Sequence, residues 1–229
     1  MQTIDVVMIT GDAASTARAI GTQVLIVTDD NDMAIEGKDI ENLISTSTTQ
    51  EFNKVKVFAR VSPKHKETLV KKYQSENKIV AMTGDGVNDA LALNLADAGV
   101  AMGIQGTDVA KEASDMILTD DNFASIVSAV EEGRGIYDNI KKSVEYLLSS
   151  NLGEVLTIFI AMMLTGYFEH ALPLLAIHIL WLNLATDGFP ALALSVEPTE
   201  EDTMERKPHN PKDKILPNSI IIRRGIIGV

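Results

Sequence analysis

The chain contains no cysteine in its 229 residues, which excludes disulfides and thiolate metal sites along this stretch. It also lacks an excess of positive charge. Lys and Arg number 20 against 32 Asp and Glu, a formal net charge of −12. That balance argues against a nucleic-acid binder, which needs Lys and Arg gathered on one face. Ordinary solubility accounts for the acidity as well as any functional role does. The amino end has no basic region, and the apolar run Val6–Ile9 is too short for the core of a signal peptide. What is present is uneven. Residues 1 to about 140 have the composition of a soluble α/β protein, whereas 144 to 196 are far more apolar. The length allows one large domain or two small ones.

In the first part, short β-branched runs alternate with helical patterns, the signature of a parallel sheet flanked by helices. Strands are expected at Val6–Ile9, Val55–Ala59, Ile79–Met82, Val100–Met102 and Met116–Leu118. An Ala-rich helix should follow Thr10-Gly11-Asp12 to about Ile20. Ser62-Pro63 has a cap residue and a proline at the first helical position, and opens a Lys-rich helix. Ligands of such sheets bind at the carboxyl ends of the strands, where Thr10, Asp12, Asp85 and Asn88 fall. The residue types suit phosphoryl chemistry. Asp85 can supply a carboxylate to Mg²⁺, glycines allow close backbone approach, and a Thr hydroxyl with a Lys ammonium can hold phosphoryl oxygens. A lone Gly-Asp-Gly after a strand reads as a tight turn. Thr10-Gly11-Asp12, Lys66 and Asn88-Asp89 in the same strand-end pattern turn the reading towards a site.

Two apolar segments follow, Val144–Phe168 and Ala171–Val196, each long enough to span a bilayer, for which roughly 20 residues suffice. Buried helices of a soluble core are the rival reading. Arg134, Lys141 and Lys142 precede the first segment, and Arg206, Lys207, Lys212 and Lys214 follow the second. The turn between them, Gly166 to Leu172, holds Glu169 and His170 but no Lys or Arg, so both outer ends are expected in the cytosol. Ionisable groups at membrane depth are functional-site hypotheses, here Glu154 and Asp187. Asn151 and Glu154 share one helix face; Asn183, Thr186 and Asp187 share another. Joined, these faces would offer only oxygen ligands, which suits Ca²⁺, Na⁺ or K⁺ and disfavours copper or zinc. Hydrogen-bonded helix packing is the rival account of the amides and the hydroxyl. Gly153 and Gly188-Phe189-Pro190 are expected to loosen the helices beside the cluster and free carbonyls. His178 reads as a helix-face residue rather than a ligand. Phe123 to Ser149 is helical in pattern and runs on without a proline, with Gly133 and Gly135 as weak points.

The string Met82-Thr83-Gly84-Asp85-Gly86-Val87-Asn88-Asp89-Ala90 resembles the hinge motif of P-type cation-transporting ATPases, members of the haloacid-dehalogenase-like phosphotransferases. Phe58 to Pro63 with His65-Lys66 resembles the segment carrying that family's phosphate-binding lysine. Asp120 to Phe123 and Val130 to Arg134 resemble the run into its fifth transmembrane helix. The resemblance implies a partial dehalogenase-like Rossmannoid α/β domain over 1–125 and a stalk helix over 126–143. A transmembrane helical hairpin would occupy 144–196, a cytosolic loop 197–217, and the start of a third span 218–229. It implies that Thr10, Gly11 and Asp12 contact the phosphoryl group, Lys66 neutralises it, Asp85 holds Mg²⁺, and Asn88 and Asp89 order the site. Leu91 and Asn94 stand where the family commonly has Pro and Lys, so docking of the helix after the hinge is open.

Ser150 to Glu154 and Trp181 to Gly188 look like the ion-binding strings of sarcoplasmic-reticulum-type calcium pumps, with Asn151, Glu154, Asn183, Thr186 and Asp187 as the implied ligands. Sodium–potassium pumps usually have Asp at the position of Asn183, which tilts the expected cargo to Ca²⁺, with Mn²⁺ or Na⁺/K⁺ as alternatives. The family's nucleophile lies in an Asp-Lys-Thr-Gly-Thr string, absent from residues 1–229. The nucleotide-binding domain that follows it, which would bind most of the ATP, is absent too. The expectation is therefore a carboxyl-terminal piece of a pump, inactive alone and partnered by the missing amino-terminal part and the lipid bilayer. A membrane-tethered phosphatase and a regulatory piece without activity are the alternatives.

Overall fold

The computed structural model describes residues 4–29, 31–164 and 174–208. The chain divides into two compact units, Gln2–Ile126 and Val127–Val229.

The first unit is an α/β domain in which strands and helices alternate. Its order is β1 (Met8–Ile9), α1 (Ala14–Gln23), β2 (Met33–Glu36), α2 (Ile40–Thr46), α3 (Thr49–Phe52), β3 (Val55–Ala59), α4 (Pro63–Ser75), β4 (Ala81–Gly84), α5 (Ala90–Leu95), β5 (Ala98–Met102), α6 (Asp108–Glu112) and β6 (Met116–Leu118). Among the described residues every strand pairing is parallel, in two sheets of order β1-β3-β2 and β4-β5-β6. β3 is central and buried, as its Val-Lys-Val-Phe-Ala sequence suits: Val55, Val57, Phe58 and Ala59 are fully enclosed. Ile9 packs against both the Phe52–Phe58–Leu69 cluster and the Val70–Met82–Leu93 cluster. The two sheets therefore share one hydrophobic interior through β1 and α4.

Several boundaries differ from those expected. β1 keeps only Met8–Ile9 of Val6–Ile9, and β4 begins at Ala81 rather than Ile79 but continues through Thr83 and Gly84. The first three residues of the hinge string, Met82, Thr83 and Gly84, are thus strand. β2 and the short helices α2 and α3 were not anticipated. α4 starts as expected. The Ser62 hydroxyl accepts the His65 N–H at 3.4 Å and His65 Nδ1 accepts the Ser62 N–H at 3.3 Å, with Pro63 at the first helical position.

The second unit is helical. α7 (Phe123–Met163) is one helix of 41 residues, uninterrupted at Gly133, Gly135 or Gly153. A second helical stretch of 20 residues runs over Ala176–Ser195, and both stretches are long and apolar enough to cross a membrane. The second consists of α8 (Ala176–Trp181), a π-helical segment (Leu182–Asp187) and α9 (Gly188–Ser195). The loosening expected around Gly188 and Pro190 takes the form of this π segment, not of a break. Side-chain contacts pair Asn139 with Glu197, Ser143 with Ala191, Tyr146 with Thr186 and Ser150 with Asp187. From Asn139 to Tyr146 residue numbers rise on one side as they fall from 197 to 186 on the other, so the pair is antiparallel. The large apolar side chains Val155, Phe159, Met162, Ile177, Leu180, Leu184, Phe189 and Leu192 are exposed, the mark of a surface that meets a membrane or a protein partner. The expected turn Gly166–Leu172 and third span 218–229 lie outside the described residues.

Candidate phosphoryl and cation sites

The first candidate site lies at the carboxyl ends of β1, β3 and β4. Asp89 ends a 3₁₀ turn, Val87–Asp89, directly after the β4 motif. Its carboxylate is enclosed, with the residue 4% exposed. Oδ1 pairs with the Lys66 ammonium from the first turn of α4, while Oδ2 accepts the N–H groups of Asp85 at 3.3 Å and Gly86 at 3.2 Å. Gly84 makes this possible. A Cβ there would lie 2.5 Å from Asp89 Cβ and 2.8 Å from its carboxyl carbon. The motif is thus folded around the carboxylate of its own last acid.

Thr10 and Asp12 close a local ring. The Thr10 hydroxyl donates to Asp12 Oδ2 and accepts the Asp12 N–H, both at 3.1 Å. Main-chain bonds hold this loop to the segment after β3, Val61 N–H to the Thr10 carbonyl at 3.1 Å and Arg60 N–H to that of Asp12 at 2.9 Å. Gly11 has nothing within 4 Å of a built Cβ and faces open space. Asp85 and Asn88 are exposed at the strand end. Lys66, Asp89 and the Asp85 backbone therefore form one connected group, and Thr10 with Asp12 forms another.

Sequence reasoning missed Asp121. Its carboxylate accepts the N–H groups of Gly103 at 2.6 Å, Ile104 at 3.0 Å and Gln105 at 2.8 Å, and its own φ is 50°. These bonds, that of Ile104 foremost, hold the carboxyl below its ordinary value despite desolvation. The clamped loop leads to Thr107, whose N–H donates to the Asp85 carbonyl at 2.8 Å. Asp121 thus shapes the loop that borders the hinge motif.

The second candidate site lies between α7 and the π segment. Asp187 is 3% exposed. Oδ1 accepts the Ser150 hydroxyl at 2.6 Å, and Oδ2 is buried without a partner. Glu154, one turn beyond Ser150 on the same face of α7, is half-buried. Asn151, Asn183 and Thr186 are exposed. The two amides donate to carbonyls of their own helices, Asn151 to Leu147 at 2.8 Å and Asn183 to Ile179 at 3.1 Å. Among the described residues no three His, Cys, Asp or Glu side chains converge as a metal-holding group. The His178 ring accepts the Leu175 N–H at 3.3 Å, a capping role at the start of α8. Ser150 and Tyr146 were not anticipated, since a lone hydroxyl on an apolar helix carries no pattern.

A parallel α/β domain with a Lys–Asp pair at its strand ends, on one chain with two membrane-length helices around a buried acid, defines a phosphotransferase-type domain joined to a membrane segment. Residues 1–97 match the family model for haloacid dehalogenase-like hydrolases, and residues 171–229 match that for the carboxyl terminus of cation transporting ATPases. The chain is 51% identical over 98% of its length to calcium-transporting ATPase 1 of Bacillus cereus, covering 25% of that protein. It is 50% identical over 99% of its length to the calcium-transporting ATPase of Bacillus subtilis, again covering 25%. Against the endoplasmic reticulum-type calcium-transporting ATPase 2 of Arabidopsis thaliana the identity is 46% over 98% of this chain and 21% of the relative. The chain belongs to the P-type cation-transporting ATPases and spans about a quarter of the length of the first two relatives.

Proposed function

We propose that the chain is the part of an ATP-driven Ca²⁺ pump that joins the aspartyl-phosphate site to the ion pathway. The observation that carries this reading is Asp187, a carboxylate enclosed between two membrane-length helices with one oxygen unpartnered. An acid so placed is retained for a ligand rather than for stability. Its surroundings supply only oxygen donors, the preference of a hard cation. The cargo is released on the far side of the membrane from the first unit, which faces the cytosol. Arg134, Lys141, Lys142, Arg206 and Lys207 at the outer ends of the two helices support that orientation.

The nucleophilic Asp would come from the amino-terminal part of the same pump, along with most of the ATP site. The residues here fit a supporting role. Lys66 is already drawn to the strand ends by Asp89 and can offer its charge to a transferring phosphoryl group. Half-buried Thr10 and exposed Gly11 and Asp12 form a strand-end loop that can contact its oxygens. Asp85 is an exposed carboxylate at the end of β4, which fits one ligand of Mg²⁺ whose remaining positions are phosphate and water. When bound, that ion would neutralise developing phosphoryl charge. Asn88 and Asp89 order the loop. Without the missing nucleophile this chain alone should not hydrolyse ATP.

The test is Ca²⁺-dependent ATPase activity of the full-length parent. Asp187→Asn and Glu154→Gln are each expected to abolish Ca²⁺ stimulation while leaving phosphorylation by inorganic phosphate intact. Stimulation by Mn²⁺ or Na⁺ but not Ca²⁺ would change the cargo. Turnover independent of any cation would reject the pump.

A further inference from the structure

We propose that Tyr146 is a positioning residue for the candidate cation site. Its hydroxyl takes the place of the peptide N–H that Pro190 lacks, and so holds the Leu182–Asp187 π segment against α7. In an α-helix the carbonyl of residue 186 accepts the N–H of residue 190. That residue is Pro190, which has no N–H to give. In water such a carbonyl is solvated, but at bilayer depth a carbonyl left unpaired is costly. The Tyr146 hydroxyl donates to the Thr186 carbonyl at 2.6 Å. One turn further along α7, Ser150 donates to Asp187 Oδ1, also at 2.6 Å. One turn earlier, Ser143 donates to the Ala191 carbonyl at 3.5 Å. These hydroxyls, spaced three and four residues apart, form one stripe on α7. Glu154 continues it.

The clamp acts on the segment that matters. Asn183, Thr186 and Asp187 all lie in the π segment, whose wider turn sets the direction of each side chain and is a common device at functional sites. A return to α geometry would rotate Asn183 relative to Asp187 and alter any ligand set they share. Tyr146 opposes that return by holding the freed carbonyl towards α7, while Ser150 fixes the adjacent carboxylate.

The functional consequence rests on reading Asp187 as a Ca²⁺ ligand, whereas the clamp itself does not, so two measurements separate them. In this chain, reconstituted in lipid nanodiscs, Tyr146→Phe keeps the ring and removes the donor. Hydrogen exchange over residues 182–192 is expected to quicken, with residues 123–135 unchanged. Adding Pro190→Ala restores an N–H and should return exchange towards wild type. In the full-length parent, Tyr146→Phe is expected to weaken apparent Ca²⁺ affinity about threefold to tenfold, with the maximal rate and phosphorylation by inorganic phosphate unchanged. Unaltered exchange in Tyr146→Phe overturns the clamp. Altered exchange with unchanged Ca²⁺ affinity overturns its positioning role. A wild-type parent without Ca²⁺ stimulation overturns the pump reading instead, and the exchange data then decide the clamp alone.

Discussion

Removing the ammonium of Lys66 leaves Asp89 enclosed with one oxygen still held by two N–H groups and the other bare. Breaking such a pair from one side costs more than the pair contributes, because the remaining charge stays buried. Lys66→Met is therefore expected to lower stability by up to about 3 kcal/mol, measured by urea denaturation of the chain in detergent. Adding Asp89→Asn should recover part of that loss. Full additivity of the two losses would deny the coupling. Asp121 makes a different prediction. Its carboxyl is depressed in the folded chain, so its contribution is present above the unfolded value near 4 and is lost as pH falls through the lower folded value. Wild type should lose thermal stability more steeply below about pH 4 than Asp121→Asn. Parallel acid limbs in the two melting series would remove the clamp from the account. Lys66 and Asp89 stood out in the sequence as members of a strand-end pattern that suggests phosphoryl chemistry, but their direct pairing did not. Asp121 did not stand out, because its partners are backbone N–H groups 16 to 18 residues away, and no residue type marks them.

Two glycines of α7 separate helix propensity from packing. Around Gly133 a built Cβ meets nothing within 4 Å, whereas at Gly135 it would lie 3.1 Å from Thr199 Cβ and closer still to its hydroxyl. The loop bearing Thr199 lies along this stretch of α7. Arg134 donates to the carbonyls of Thr203 at 2.9 Å and Arg206 at 3.2 Å, and Lys142 pairs with Glu197 at 2.9 Å and Glu200 at 2.8 Å. Arg206 pairs with Asp138 at 2.8 Å. Gly133→Ala should stabilise the helix by about 0.5–1 kcal/mol through propensity alone. Gly135→Ala gains the same propensity but forces the loop outward, at a cost of about 1–3 kcal/mol. The net is a loss, with faster trypsin cleavage at Arg206 and Lys207. Equal stabilisation by both alanines would show that the loop yields freely. At this scale the strong elements were readable and the weak ones were not. β3 and β6 fall where β-branched and apolar runs place them. β2 is four half-buried residues ending in Glu36, too short and mixed to rise above its polar surroundings. The π segment was visible only as a suspicion about Gly188 and Pro190, since hydrogen-bond register is decided by the facing helix.

For the whole molecule, the sheet-bearing stretch and the membrane-length helices differ in composition, and α7 follows the last strand and runs on into the apolar stretch. At 1.5 Å per residue its 41 residues extend about 60 Å, with no proline anywhere along them. If phosphoryl and cation sites influence one another, each must bias a shared two-state element, and a continuous helix is the covalent candidate. Glu132 is exposed on α7 before the residues that bind the loop, so Glu132→Pro kinks the helix without touching either site. Proline there also removes a backbone bond and clashes with the preceding turn, about 3 kcal/mol of local strain. In the full-length parent, Ca²⁺ should suppress phosphorylation by inorganic phosphate in wild type, and the Glu132→Pro variant should lose most of that suppression. Ca²⁺ binding alone and phosphorylation alone should both survive. Coupling of this kind is typically about 5-fold to 150-fold in affinity, so its loss is measurable as a shift of the Ca²⁺ titration. Suppression unchanged by the proline would mean that α7 joins the two units without carrying the signal between them.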